Sequence, residues 1–219
     1  MKRQYLGDSR DSFKWDYHHY LVSELGYPQL QVVWMMTADD GGTDGRTPPE
    51  LFPARPEILD FCKRLRTSHN PKILLDLPAT TSAPYNVRLF GSDEDFISKQ
   101  RDAYFAKCDL SSSVVFIDPD NGFEPEKSCS KKHVGYADVE ALLKRIPSSG
   151  VISVFQHFRR KPFQEDFKRI RERLRSGFTT AVYWHALMFV AVSPSREIRD
   201  HILQVNRAYA KDRPVKVLA

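Results

Sequence analysis

The stretch VVFIDPDNGFEP, residues 114 to 125, runs apolar and largely β-branched before it meets Asp118, Pro119, Asp120, Asn121 and Gly122. An apolar run without alternation reads as a strand buried on both faces, the kind found inside parallel sheets. The turn that stops it carries two carboxylates and an amide. Asp118 in such a turn can accept a hydrogen bond from an amino group while Pro119 fixes the backbone. Alternatively, Asp118 and Asp120 with Asn121 can offer oxygen ligands to Mg²⁺ or Mn²⁺. Asp, Pro, Asn and Gly are also the ordinary residues of a turn. The rest of the chain has to choose among these readings.

Working outward, strand-length apolar runs recur. LQVVWMMT (30–37), KILLDLP (72–78), VRLF (87–90), GVISVFQH (150–157), TTAVYW (179–184) and ALMFVAVS (186–193) read as further strands. Segments of helical period lie between most of them. Residues 55–68 place Ile58, Leu59, Cys62 and Leu65 at helical spacing behind Pro56. Residues 92–108 open on a capping Ser92 with Asp93, Glu94 and Asp95 in the first turn. Residues 137–147 form another helix. Phe163, Phe167, Ile170 and Leu174 make one stripe ending at a C-cap Gly177, and Ser195 caps the last helix.

This alternation predicts an α/β fold, a mostly parallel Rossmann-like three-layer sheet with a C-terminal antiparallel hairpin. The tight turn at Trp184 and His185 reverses the chain, putting one strand on or next to the edge. A single domain covers 1–219, with residues 1–26 a helical segment packing on the strand ends. In open parallel sheets ligands bind beyond the carboxyl ends of the strands. Four places therefore matter: the loop after Thr37, the turn after Asp76, the DPDNG turn, and Gln156–His157.

The 219 residues are 41% hydrophobic and 28% charged, ordinary for a water-soluble domain, and no apolar run approaches the ~20 residues of a membrane span. The start lacks the apolar core of a secretory signal. Cys62, Cys108 and Cys129 are widely spaced and odd in number, which suits a reducing compartment and a cytoplasmic setting. Oligomeric state is not legible. The net charge of +5 is compatible with a polyanionic partner.

Several side chains are candidates for a site. Asp39, Asp40 and Gly41 lie in the glycine-rich loop after the first strand, where backbone amides can approach a ligand. Asp76, at a predicted strand end, suits ribose hydroxyls. Asp11 and Lys14 sit three apart on a helix and so share a face; ion pairing there is the structural alternative. His157 ends a strand as an acid or base working near neutral pH. Lys131 and Lys132 on one loop, with Arg159, Arg160 and Lys161 on another, form a phosphate-binding rim if they flank one cleft, and a solvated face otherwise.

The chain resembles class I S-adenosylmethionine-dependent methyltransferases, which also end their sheet in an antiparallel hairpin. Within them it is most similar to the RlmJ-type 23S rRNA adenine-N6 group, with its GN-x-x-D-x-x-K element before the first core strand. Gly7, Asp8, Asp11 and Lys14 match that spacing, with Asp8 in place of Asn. The group's DPPY turn falls on Asp118, Pro119, Asp120 and Asn121, of which the last two depart from it. The chain is also similar to a bacterial and phage group with a GD-x-x-D start and a DPDNG turn.

The resemblance implies S-adenosylmethionine as cofactor and nucleic acid as substrate; the lack of a long apolar run predicts no membrane partner. Asp118, Asp120, Asn121 and His157 would form the reaction centre, and Asp11 and Lys14 the cofactor side. Phe123 would stack on the target base. Lys14 should be removable without loss of melting temperature. The alternative is a metal-dependent nuclease or phosphoesterase using Asp118 and Asp120, with Asp39 or Asp40 and His157 assisting. A third reading is a non-catalytic nucleotide or nucleic-acid binding module in phage defence or counter-defence.

Overall fold

Branched and aromatic residues with little interruption make the centre of the sheet, since such side chains fill a doubly covered layer. In a computed structural model, which describes residues 1–39, 41–42, 46–111, 113–127 and 129–219, β1 (Gln29–Trp34), β3 (Val114–Asp118) and β6 (Val151–His157) lie side by side and parallel. β2 (Asn86–Phe90) pairs parallel on the outer side of β1. β7 (Phe178–Trp184) and β8 (Leu187–Ser193) form the expected hairpin, and short β9 (Lys216–Leu218) runs antiparallel to β7. The strand order is β2-β1-β3-β6-β8-β7-β9. Two strands thus run against the rest: β8, which lies inside the sheet between β6 and β7, and short β9 at its rim.

Alternate residues of β1 feed two cores. Leu30, Val32 and Trp34 point to one face, and Val33 to the other. The first face is covered by α1 (Ser9–Glu24), α2 (Pro56–Ser68) and α7 (Arg196–Asp212). The second is covered by α4 (Arg101–Ala106), α5 (Tyr136–Leu143) and α6 (Phe163–Arg173). This is the three-layer α/β arrangement that the sequence pattern predicts. Among the described residues no helix is long and apolar enough to cross a membrane.

α1 is a core element. Eleven of its 16 residues are buried, and Trp15 meets Phe116 and Trp34 edge-on. Only its first turn and the residues before it reach the strand ends. His18 ties the helix to the sheet: its Nδ1 lies 2.7 Å from the Lys14 carbonyl and its Nε2 2.9 Å from Ser153 Oγ. A carbonyl only accepts, so Nδ1 carries the hydrogen and Nε2 accepts from the hydroxyl. Burial lowers the His18 pKa to about 3, which keeps the ring neutral.

Three expectations need correction. Residues 72–78 are not a strand: Pro71–Asp76 is a 3-10 helix and Leu77–Thr80 the short α3. Asn70 caps this turn by accepting from the Lys72 amide, and Pro71 suits a first helical position. Ser92 caps no helix; it is buried, its carbonyl accepts from Arg3, and regular helix begins only at Arg101. Gly177 is no C-cap, because α6 ends at Arg173.

The chain passes from β1 outward to β2, then returns to place β3 on the other side of β1. A crevice opens at such a switch point, beyond the carboxyl ends of the two central strands. Trp34 and Asp118 are paired in register there.

Candidate active site

Asp118 is the last residue of β3 and is 1% exposed. Its Oδ2 lies 2.9 Å from Lys14 Nζ, which also lies 2.9 Å from Asp11 Oδ1. Asp11 is anchored in turn, its Oδ2 accepting from the Gly7 amide at 2.8 Å. Burial opposes the charge on Lys14, but Asp11 and Asp118 more than offset this and raise its pKa. Burial raises Asp118 as well, against the opposing pull of Lys14 and the Met1 amino group. Removing Lys14 would leave two carboxylates buried without their shared cation, so the expectation that Lys14→Ala spares stability is reversed.

Asp8 is the N-cap of α1 and is also 1% exposed. Its Oδ1 accepts from the Arg10 and Asp11 amides at 2.9 and 3.0 Å. Its Oδ2 is buried and has no hydrogen-bond partner among the described residues. Burial and the neighbouring Asp11 charge push the Asp8 pKa up to about 7.

These groups line one cavity of about 230 Å³ at the switch point, together with Asp120, Asn121, Lys132 and His157. Seven of the predicted residues therefore meet there: Asp11, Lys14, Asp118, Asp120, Asn121, Lys132 and His157. Tyr5, Asp8, Arg10 and Phe155 join them without having been assigned to a site. The GD-x-x-D spacing carries the signal for Asp8; Phe155 has none, being one more apolar strand residue.

Other candidates lie elsewhere. Asp76 is exposed on the 3-10 helix and does not line the cavity, so it is not a ribose ligand at a strand end. Asp39 accepts from the Gln4 amide at 3.3 Å, and the Gly41 amide donates to Gln4 Oε1 at 3.3 Å. Asp39 and Gly41 thus contact the N-terminal segment and lie outside the cavity lining. Asp40 lies outside the described residues. Arg159 and Lys161 line a neighbouring cleft with Lys127 and Arg169, whereas Lys131 and Arg160 are exposed and line neither space. Phe123 is fully buried and stacks on Tyr136, so no base can reach it.

Residues 1–5 cross the strand ends. The Met1 amino group donates to the Met35 carbonyl at 2.9 Å, and the Thr37 amide donates to the Met1 carbonyl at 2.8 Å. Burial draws the Met1 amino group down to about 6, against the pull of Asp118 and Asp120.

The two ligand classes can be tested against these donors. A divalent cation between Asp118 and Asp120 does not fit. Asp118 already faces Lys14, and Asp120 lies 3.6 Å from both the Met1 amino group and Lys132 Nζ. A dication would add positive charge beside those nitrogens. Among the described residues no three His, Cys, Asp or Glu side chains converge on a metal position. A hydrogen-bond donor suits this set better, because Asp8 lines the cavity and its buried Oδ2 has no partner among the described residues.

No protein-family model matches the chain, and no curated protein matches it. Among solved structures, the chain is similar to the O-methyltransferase from Bacillus cereus in complex with SAH, at 10% identity and a TM-score of 0.39, over 83% of this chain and 80% of that one. A DUF574 family protein from Streptomyces avermitilis gives 12% identity and a TM-score of 0.39, over 84% and 82%. Likeness at this level assigns no family. The fold class rests on the strand order.

Proposed function

We propose that this chain is a methyltransferase-like enzyme that uses S-adenosylmethionine to modify nucleic acid at the cavity beside Asp118. The observation that carries the reading is the buried, unpartnered Asp8 oxygen at the switch-point crevice, next to the Asp11–Lys14–Asp118 cluster. An unsatisfied buried acceptor calls for a donor, and the amino group of the cofactor's methionine end is one. When bound, S-adenosylmethionine supplies an electrophilic methyl group on sulfur. Asp8 would hold the amino end. Asp118 and the Asn121 carboxamide accept hydrogen bonds from a target amino group, and His157 receives its proton. Lys14 favours the ionised form of Asp118 and orients it. Lys132 at the cavity, and Arg159 and Lys161 in the neighbouring cleft, supply charge for phosphates.

The cavity is below the ~300–1,000 Å³ usual for small-molecule sites. Room for the adenosine end has to come from residues 1–5, so cofactor binding lifts that segment from the strand ends.

Calorimetry on the purified protein tests the reading. S-adenosylmethionine is expected to bind the wild-type protein, and methyl transfer to nucleic acid to fall at least tenfold, about the contribution of one positioned polar group, in Asp118→Asn. Binding of Mg²⁺ or Mn²⁺ without binding of S-adenosylmethionine would overturn it in favour of hydrolysis. Binding of neither would favour a module without chemistry.

A further inference from the structure

The tip of the β7–β8 hairpin lies at the same edge of the sheet as His157, because Leu187 pairs with both His157 and Trp184. Beside it is a slot of about 280 Å³, walled by Trp184, Leu51 and Leu187, with Ser9, Thr47 and Arg10 at its polar side. Leu51 is 57% exposed, and Phe158, whose amide donates to the Ala186 carbonyl at 2.8 Å, is 43% exposed. An exposed leucine in the wall of a slot beside a half-buried indole is unusual next to a reaction cavity.

Arg10 lines both this slot and the cavity of Asp118. Its guanidinium makes no hydrogen bond among the described residues, so its donors are available. Arg66 donates to the carbonyls of Thr47 and Arg46, which holds one more guanidinium group near the Thr47 side of the slot. An apolar slot with an indole wall and cationic neighbours matches a nucleotide, whose base has a π-face and whose phosphate carries the charge.

We infer that the Trp184–Leu51–Leu187 slot binds one unpaired base of a single-stranded nucleic acid, with Arg10 on the adjoining phosphate. This rests on the methyl-transfer reading for its purpose, since it names the substrate as single-stranded and puts a neighbour of the target nucleotide in the slot. Duplex bases are stacked on both faces and cannot enter. RNA and DNA share this chemistry.

Intrinsic fluorescence tests it, because Trp15 and Trp34 are fully buried and only Trp184 is reached by a ligand. The probes are single-stranded ribo- and deoxyribo-dodecamers, an abasic strand of equal length, the corresponding duplex, and an apolar peptide. At least one base-bearing single strand is expected to quench at concentrations about tenfold lower than the abasic strand. Leu51→Glu, at an exposed position, should abolish quenching at unchanged melting temperature. Arg10→Gln should weaken binding and reduce the salt slope by about 0.7. Equal quenching by the abasic strand or the duplex, quenching by the peptide alone, no quenching, or quenching that survives Leu51→Glu would overturn the proposal. Methyl transfer to the same strands is measured separately. Quenching without transfer keeps the slot and removes the methyl-transfer reading; transfer without quenching does the reverse.

Discussion

Asp8 holds its two oxygens in different situations, and the difference has a thermodynamic consequence. Oδ1 satisfies two amides of the first turn, while Oδ2 is buried and has no partner among the described residues. The folded chain therefore keeps Asp8 protonated up to about 7, whereas the unfolded chain loses that proton near the ordinary value of 3.8. Between these values the folded state binds the extra proton, so this residue's contribution to stability falls as pH rises through the window and is flat above it. His18 acts in the opposite sense, since its folded pKa of about 3 lies below its ordinary 6.5. Its contribution is present above about 6.5 and lost as pH falls towards 3. The Asp8 effect is thus read in the difference between variant and wild type. Asp8→Asn keeps the capping oxygen and the volume but removes the charge, and should raise stability at pH 8 by about 1–3 kcal/mol. The gain should vanish below about pH 4, as measured by thermal denaturation across pH. A variant less stable than wild type at pH 8 would mean that the free oxygen is not a liability. If Asp8 holds the cofactor's amino group, the same variant binds S-adenosylmethionine more weakly, a trade of function for stability.

At the scale of elements, the DPDNG turn is held by a close approach. Gly122 has φ of +104°, and a Cβ there would stand 2.4 Å from Gln156 Oε1 and 2.8 Å from Gln156 Cα. That oxygen accepts from the Phe123 amide at 2.9 Å, and the His157 amide donates to the Asn121 carbonyl at 3.2 Å. The turn after β3 is thereby fastened to the end of β6, which brings Asn121 and His157 to one cavity. Gly122→Ala should cost about 2–4 kcal/mol and lower Tm by roughly 5–15 °C; an unchanged Tm would show that β6 yields easily. Much of this was legible. A β-branched run ending on Asp118, and a helix carrying Asp11 and Lys14 at one-turn spacing, specify themselves locally. KILLD reads as a strand because three successive apolar residues fit a strand or a helical turn equally, and the deciding signal, Asn70 before Pro71, is a cap and not part of the run. The loss of that strand also removed Asp76 from the ligand edge. β9 was illegible for another reason: three residues carry no periodicity, and only its pairing with β7 makes it a strand.

At the scale of the whole molecule, α1 joins the two ends of the chain while carrying the cavity's charges. Asp16, fully buried, is the junction. Its Oδ1 accepts from the Arg55 amide at 2.9 Å and from the Arg55 guanidinium at 2.7 Å. Its Oδ2 accepts from Tyr209 at 2.7 Å and from Arg213 at 3.0 Å. One carboxylate therefore binds α1 to the start of α2 and to the last turns of α7, across up to 197 residues of sequence. Asp16 is two residues from Lys14, so the helix turns its stabilising carboxylate and its cavity-facing ammonium in different directions. These two tasks should separate on mutation. Asp16→Asn removes the charge that compensates Arg55 and Arg213; because both arginines keep some contact with water, the cost should be about 2–4 kcal/mol, below that of a fully dry pair. Tm should fall by roughly 5–15 °C, while the folded fraction at low temperature keeps its affinity for S-adenosylmethionine. Asp118→Asn should show the reverse, with a smaller change in Tm and a loss of transfer. Calorimetry and thermal denaturation on the two variants distinguish these patterns. Equal loss of affinity in both would mean that α1 moves as one body and that the cavity depends on its seating throughout.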